Sequence, residues 1–144
     1  MANKQEYRTS VRWESQRKGV LSAPELSDIE IATPPEFPGG HAGIWSPEHF
    51  FVASVEACIM TTFLAIAENS KLEFKEYRST AEGVVEKTDS GYVFTEVTVK
   101  PHVVIEDEKL RDRTLRILDK SERACLVSKS VKIAVHLQPE VVVA

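Results

Sequence analysis

The rhythm of apolar and polar residues changes from strand-like to helix-like and back along the chain. Residues 6–13 (EYRTSVRW) alternate weakly and read as a strand, and residues 16–19 (QRKG) form a polar break. Residues 20–22 and 28–33 (DIEIAT) read as short strands around a turn at Pro24. Three short strands in succession predict an antiparallel meander. Residues 33–43 (TPPEFPGGHAG) hold three prolines and three glycines, so no regular element is expected there. Loops of this kind often wall a site beside a rigid element; a plain crossover from sheet to helix is the alternative.

Residues 45–67 (WSPEHFFVASVEACIMTTFLAIA) predict a long helix. Ser46 reads as its N-cap and Pro47 as its first residue, where a missing N–H costs nothing. Phe51, Val55, Cys58 and Thr62 share a stripe, and Phe50, Ala53, Ala57 and Leu64 widen the apolar surface. A helix apolar nearly all round is expected to be buried on most sides. Glu56 near its centre and the lack of basic flanks argue for a central helix of a soluble protein rather than a membrane span.

Residues 72–87 read as a long strand with Gly83 as a possible bulge, and residues 89–91 (DSG) as a hairpin turn. Residues 92–99 alternate, with Tyr92, Phe94, Glu96 and Thr98 on one face and Val93, Thr95, Val97 and Val99 on the other. Pro101 suggests an edge or a bulge, after which the strand resumes to Ile105. Residues 106–123 predict a second helix. Glu106, Asp107 and Glu108 complement its N-terminal dipole, and Leu110, Thr114, Ile117, Leu118 and Ser121 form its inner stripe. Residues 124–130 (ACLVSKS) read as a connector, residues 131–137 as an alternating strand and residues 141–143 as a short tail strand. The order is α+β, in a single domain over residues 1–144.

Composition narrows the function more than the fold. Apolar residues make up 42% and charged residues 28%, which suits a globular chain and argues against disorder. A net charge of −4 without an evident basic patch makes nucleic acid an unexpected partner. The N-terminus, MANKQEYRTS, lacks the apolar core of a signal peptide, so a cytoplasmic location is expected. His41, His49, His102 and His136 are scattered without ligand spacing, so no metal is expected, and no phosphate-loop, dinucleotide or G-x-S-x-G pattern appears.

The two cysteines, Cys58 and Cys125, are the remaining candidate chemistry. A free cysteine inside an apolar helix is commonly inert packing. A reactive one needs its thiolate stabilised by a cation or a helix N-terminus. Cys58 lies about three turns into its helix, where the dipole helps little. Arg17, Arg12 or Lys18 are the candidate cations, each with the alternative of a solvated surface charge. Glu56 lies about 200° round the helix from Cys58 and points away from it. Glu48 precedes Cys58 by ten positions, about 15 Å along the axis, and suits the first turn of the helix. Cys125, 67 positions on, is no local partner of Cys58; the fold must bring the two together if they are to exchange.

These pieces together resemble the OsmC/Ohr family, the osmotically induced and organic-hydroperoxide-resistance proteins. Pro47-Glu48, Ala53 and Ala57-Cys58 match the family's pattern around its reactive cysteine. Cys125-Leu126-Val127-Ser128-Lys129 resembles its second-cysteine run, Cys-Pro-Val-Ser-Lys, with Leu126 in place of proline. Arg17-Lys18-Gly19 resembles its early Arg-x-Gly. Glu56 stands where the family usually has a small or apolar residue, and the loop at residues 34–43 differs from the entry of the best-known members. The resemblance implies antiparallel sheets around a long buried central helix plus a second helix, in an intertwined homodimer. It implies a thiol-dependent peroxidase for organic hydroperoxides, with Cys58 peroxidatic, Cys125 resolving, and Arg17 and Glu48 an activating pair. An apolar site lined by Phe50, Phe51 and Trp45 would favour alkyl or lipid hydroperoxides. The reductant would be a dithiol, in the family a lipoylated protein, and no cofactor is implied. The alternatives are a non-catalytic dimer that binds a small apolar ligand or partner, and a redox sensor.

Overall fold

The computed structural model describes residues 3–144. The chain clusters into two units, one ending at Phe51 and the other Val52–Ala144. The first unit is the expected meander: β1 (Ser10–Ser15), β2 (Lys18–Ala23) and β3 (Leu26–Ala32), antiparallel in the order 1-2-3. Strand β1 starts at Ser10 rather than residue 6, because Ser10 faces Ser22 near the end of β2 and the preceding residues have no strand to pair with. Of the polar break, Gln16 and Arg17 make the turn, while Lys18 and Gly19 already belong to β2. Gln16 adopts a positive φ of 50°, and its carbonyl accepts the indole N–H of Trp13 at 2.9 Å. Gly19 permits close strand approach: a Cβ there would lie 2.6 Å from the Arg12 carbonyl oxygen.

Residues 33–43 form a loop that folds on itself. The His41 N–H donates to the Thr33 carbonyl, and a Cβ on Gly40 would fall 1.9 Å from the Pro34 carbonyl oxygen. Helix α1 (Pro47–Asn69) then begins as expected. The Ser46 hydroxyl accepts the His49 N–H at 3.2 Å, and His49 Nδ1 accepts the Ser46 N–H at 3.1 Å. This is a reciprocal capping box in which histidine takes the place usually held by Glu or Gln.

The second unit holds most of α1 and a mixed sheet. Strands β4 (Glu76–Thr88) and β5 (Gly91–Ile105) form a long antiparallel hairpin. The other two strands, β6 (Ala134–Leu137) and β7 (Glu140–Val143), pair with β5 in parallel, which amends the expected all-antiparallel sheets. Residues 72–75 precede β4 as irregular chain, so the strand starts later than expected. The bulge falls between Val84 and Val85, not at Gly83. Gly83 instead gives α1 and β5 room, since a Cβ there would lie 2.5 Å from Val52 Cγ2 and 2.8 Å from Phe94 Cε1. Pro101 is neither at an edge nor in a bulge. It is buried in central β5, where β6 pairs only through Val99 and β7 only from His102, so it occupies the gap between them.

After β5, a 3₁₀ turn (Glu108–Leu110) leads into α2 (Arg111–Ala124). The expected helix start moves into this turn, where the Asp107 carboxylate accepts the Lys109 N–H at 2.9 Å. Thr114, Ile117, Leu118 and Ser121 of α2 are buried, as their spacing predicts. The expected connector contains a short helix, α3 (Leu126–Ser130). The core gathers Phe63, Leu72, Val103, Ile105 and Leu118, and the Phe63 ring meets Phe74 and Tyr77 at 5.2 and 5.1 Å.

Helix α1 departs from the expectation of burial on most sides. Its buried residues are Val55, Ile59, Phe63 and Ala67, one stripe at four-residue spacing, while Ala57, Thr61 and Leu64 are exposed. By length and apolar composition alone it would pass for a membrane span. Its buried stripe packs instead against protein, and Glu56 accepts a hydrogen bond from Ser79 of β4 at 2.5 Å.

Candidate thiol site

Helix α1 carries Cys58 half-buried, and the junction of α2 and α3 carries Cys125 fully buried. Cys125 ends α2 and caps α3, its Sγ accepting the Ser128 N–H at 3.4 Å. Both thiols are free, and they hydrogen-bond to each other. Burial pushes the Cys58 thiol up. Hydrogen bonds from the Cys125 thiol, the Val127 N–H, the Thr62 hydroxyl and the Leu126 N–H outweigh it, leaving Cys58 below the ordinary cysteine value. Cys125 moves the other way: burial raises it, and so does its bond to Cys58. The two thiols are therefore drawn in opposite directions, Cys58 toward its thiolate and Cys125 toward its thiol.

The source of this stabilisation differs from the expectation. A cation was expected; the donors are neutral. Two are backbone amides at the start of α3, in the segment whose sequence predicts a connector. Thr62 lies one turn beyond Cys58 on α1, as the shared stripe had placed it. Leu126 is the instructive member. It occupies the first position of α3, where proline fits equally well. Proline has no N–H to give, so leucine at this position adds a donor to Cys58 that proline would remove.

Arg17 and Glu48 come together within the first unit. Both line a cavity of about 350 Å³, together with Trp13, Thr33, Pro34 and Pro47. The residue 33–43 loop thus does wall a cavity. Gly39, at a φ of +79°, lies against Arg17, and a Cβ there would sit 3.2 Å from Arg17 Nε. Among the described residues no ion pair joins Arg17 to Glu48, and Glu48 Oε1 is buried with no hydrogen-bond partner. Of the expected apolar lining, Trp45 stacks on Phe50 at 5.5 Å and is 52% exposed, which leaves an aromatic surface open, while Phe51 is half-buried.

Glu56 takes no part at the thiol and is occupied by Ser79, as its angle round the helix predicted. Burial and then the Glu56 charge push the Tyr77 phenol up to about 12, and among the described residues its buried hydroxyl has no hydrogen-bond partner. Among the described residues, no group of three or more His, Cys, Asp or Glu side chains is arranged to hold a metal.

Comparison with known proteins bears on this arrangement. The family model described as OsmC-like protein matches residues 40–140. An uncharacterized protein of Bacillus subtilis, YmaD, is 26% identical over 113 residues, covering 76% of this chain and 75% of its own. An OsmC-like protein of unknown function from Vibrio cholerae superposes with a TM-score of 0.86 at 22% identity, covering 94% of this chain and 99% of its own. A structure from Legionella pneumophila, named as an organic hydroperoxide resistance protein OsmC, superposes with a TM-score of 0.75 at 22% identity, covering 96% and 99%.

Proposed function

The chain belongs to the OsmC-like family, and on that footing we propose that it is a thiol-dependent peroxidase that reduces organic hydroperoxides. The observation that carries this reading is the hydrogen-bonded Cys58–Cys125 pair, with Cys58 lowered and Cys125 raised. Inert packing cysteines need no such division, whereas a nucleophile and its resolving thiol do. The Legionella protein's name adds support by likeness.

The Cys58 thiolate attacks the terminal oxygen of the hydroperoxide, the O–O bond breaks, and the alkoxide leaves as alcohol after taking a proton. Sulfur is oxidised to sulfenic acid as the peroxide is reduced. Cys125 then attacks the sulfenic sulfur, water leaves, and a disulfide forms. A dithiol restores both thiols by exchange. Arg17 and Glu48 are assigned as the activating pair from the family pattern, with Trp45, Phe50 and Phe51 as the apolar lining that favours bulky organic peroxides. The exposed Ala57, Thr61 and Leu64 of α1, at intervals of four and three residues, suit packing against a second copy, so the working form is a homodimer. It acts in the reducing cytoplasm, where a dithiol reductant is available.

Consumption of cumene hydroperoxide, measured against hydrogen peroxide with dithiothreitol as reductant, tests the reading. Turnover prefers the organic peroxide and falls by roughly 10³-fold or more in Cys58→Ser. Equal rates in wild type and a folded Cys58→Ser would overturn it and return the chain to the ligand-binding alternative.

A further inference from the structure

Serine and threonine inside a helix commonly spend their hydroxyls on the carbonyl four residues back. Thr114, Ser121 and Ser130 do so, donating to the carbonyls of Leu110, Ile117 and Leu126 at 2.7, 2.6 and 2.7 Å. Ser128 does not. Its hydroxyl oxygen is buried, and among the described residues it has no hydrogen-bond partner. The local helix explains why. Cys125 is the N-cap of α3, and Ser128 is the third residue beyond it, the position from which a capping-box side chain reaches back to the N-cap N–H. That N–H is already given to the Glu122 carbonyl at 3.3 Å, because Cys125 also ends α2. The Ser128 N–H in turn is held by the Cys125 sulfur at 3.4 Å, which keeps residue 128 beside that thiol. Burial and the bond to Cys58 raise the Cys125 thiol, and the nearby Ser128 hydroxyl opposes them. A buried hydroxyl left without a bond costs stability, so folding does not account for serine at this position.

In the reduced protein the Cys125 S–H is directed at Cys58. A sulfenic acid on Cys58 changes what Cys125 needs. It must then attack as a thiolate, in a fully buried position that disfavours charge. We propose that Ser128 is the positioning residue of this resolving step, its hydroxyl turning to donate to the Cys125 sulfur as charge gathers there. The inference rests on the peroxidase reading. The turn is a rotation of the side chain, and no existing bond has to break for it, since the hydroxyl has none. In the step Cys125 gives up its proton, its sulfur forms the S–S bond to the Cys58 sulfur, and the S–O bond breaks with its electron pair passing to oxygen. That oxygen leaves as water, carrying the proton from Cys125, and the Ser128 proton stays on its own oxygen. The sulfenic sulfur is reduced and the Cys125 sulfur oxidised to the common disulfide level. The donors to Cys58 are the Cys125 thiol, Val127, Thr62 and Leu126; Ser128 is not among them, so it acts on the second step and not the first.

Single-turnover kinetics with one equivalent of cumene hydroperoxide separate the two steps. Peroxide loss reads the oxidation of Cys58; quenching with a diketone that traps sulfenic acid, followed by mass spectrometry, reads disulfide formation. In Ser128→Ala, peroxide loss stays within about twofold of wild type, while disulfide formation falls roughly three- to tenfold at about pH 7. Sulfenic acid accumulates, and excess peroxide carries more of it to sulfinic acid. A thiolate that has lost a donor is also more nucleophilic, so at a pH where Cys125 is already ionised the variant is as fast as wild type or faster. A merely structural role would slow it at every pH. Ser128→Thr, which keeps the hydroxyl, restores the wild-type profile. Equal disulfide rates at about pH 7, or slowing that persists at high pH, would overturn the proposal and leave the peroxidase reading standing. If peroxide oxidises neither cysteine, the peroxidase reading falls, and Cys58→Ser tests the hydroxyl by itself. Cys125 is then the sole thiol. Its thiolate absorbance appears roughly one to two pH units higher in Cys58→Ser/Ser128→Ala if the hydroxyl serves Cys125, and coincident titrations overturn that. Should Ser128→Ala not fold, Ser128→Val against Ser128→Thr, alike in shape and differing in the hydroxyl, takes its place.

Discussion

The two units differ in how much each supplies from its own residues. The second unit buries Phe63, Ile105, Leu118 and their neighbours, and it holds both thiols in a set of its own hydrogen bonds. The first unit buries little beyond Val20 and Ala32. Every residue of β1 is exposed, with Trp13 at 75%, and its cavity brings Arg17 and Glu48 together without bonding them. One packed unit therefore supplies the hydrogen-bond donors to Cys58, whereas Arg17, in the turn between β1 and β2, and Glu48, in the first turn of α1, share a cavity without an ion pair. The surroundings of Cys58 and the proposed electrostatic assistance are thus separable in this chain, and mutations can address one without the other.

The contrast breaks most sharply through packing. Phe63→Ala costs about 3–5 kcal/mol in the second unit, by lost burial and the cavity left behind. Val20→Ala in the first costs only about 1–2 kcal/mol; denaturant unfolding measures both, and equal losses would erase the contrast. Next comes catalysis. Arg17→Gln lowers kcat/KM for cumene hydroperoxide by roughly 10²–10³-fold, the scale of a lost charge-stabilising donor. Its fold stability is unchanged, because Arg17 is exposed. An unchanged rate would remove Arg17 from the proposed machinery.

Smaller shifts sharpen the second unit's side of the comparison. Cys125→Ala and Leu126→Pro each remove a donor from Cys58, so the thiolate appears at higher pH in an ultraviolet titration. The signs in wild type follow from linkage. Between the lowered Cys58 value and 9.0 the unfolded chain holds a proton that the native chain has released, so stability rises with pH there. Above 9.0 the raised Cys125 keeps a proton that the unfolded chain loses, and stability falls as pH rises. Leu126→Pro flattens the rise and not the fall.

The smallest effect is expected at Tyr77. Among the described residues its buried hydroxyl has no hydrogen-bond partner, so Tyr77→Phe is neutral or stabilising by up to about 1 kcal/mol near pH 7. Between 10.0 and about 12 the native phenol keeps its proton while the unfolded one loses it, so wild type loses stability as pH rises and the phenylalanine variant loses less. Urea midpoints for the two proteins across this range measure the difference.

Much of the fold was legible because it rests on local rules. The Ser46-Pro47 start of α1, the turn at residues 89–91, and the Thr114–Ile117–Leu118–Ser121 stripe all depend on neighbours within a few positions. Misplaced features depended on distant chain. Residues 6–9 lack a strand because β2 ends one residue beyond Ser22, the partner of Ser10, and Pro101 is tolerated in a central strand because β6 stops before it and β7 starts after it. At the thiol site, Cys58 and Cys125 stood out as residue types and by family pattern. The amides of Leu126 and Val127 did not, since every residue except proline has one and only the fold aims it.

The sequence by itself determined the α+β order, the capped apolar helix, the two cysteines and the family to which they belong. Each is carried by side-chain identity at short or recurrent spacing. Only the tertiary structure decided the parallel placement of β6 and β7, the exposed flank of α1, and the neutral donors that hold Cys58 down. Those depend on which surfaces meet across many residues. Packing sets that, because the burial and hydrogen bonding it satisfies are summed over the whole chain rather than at any one position.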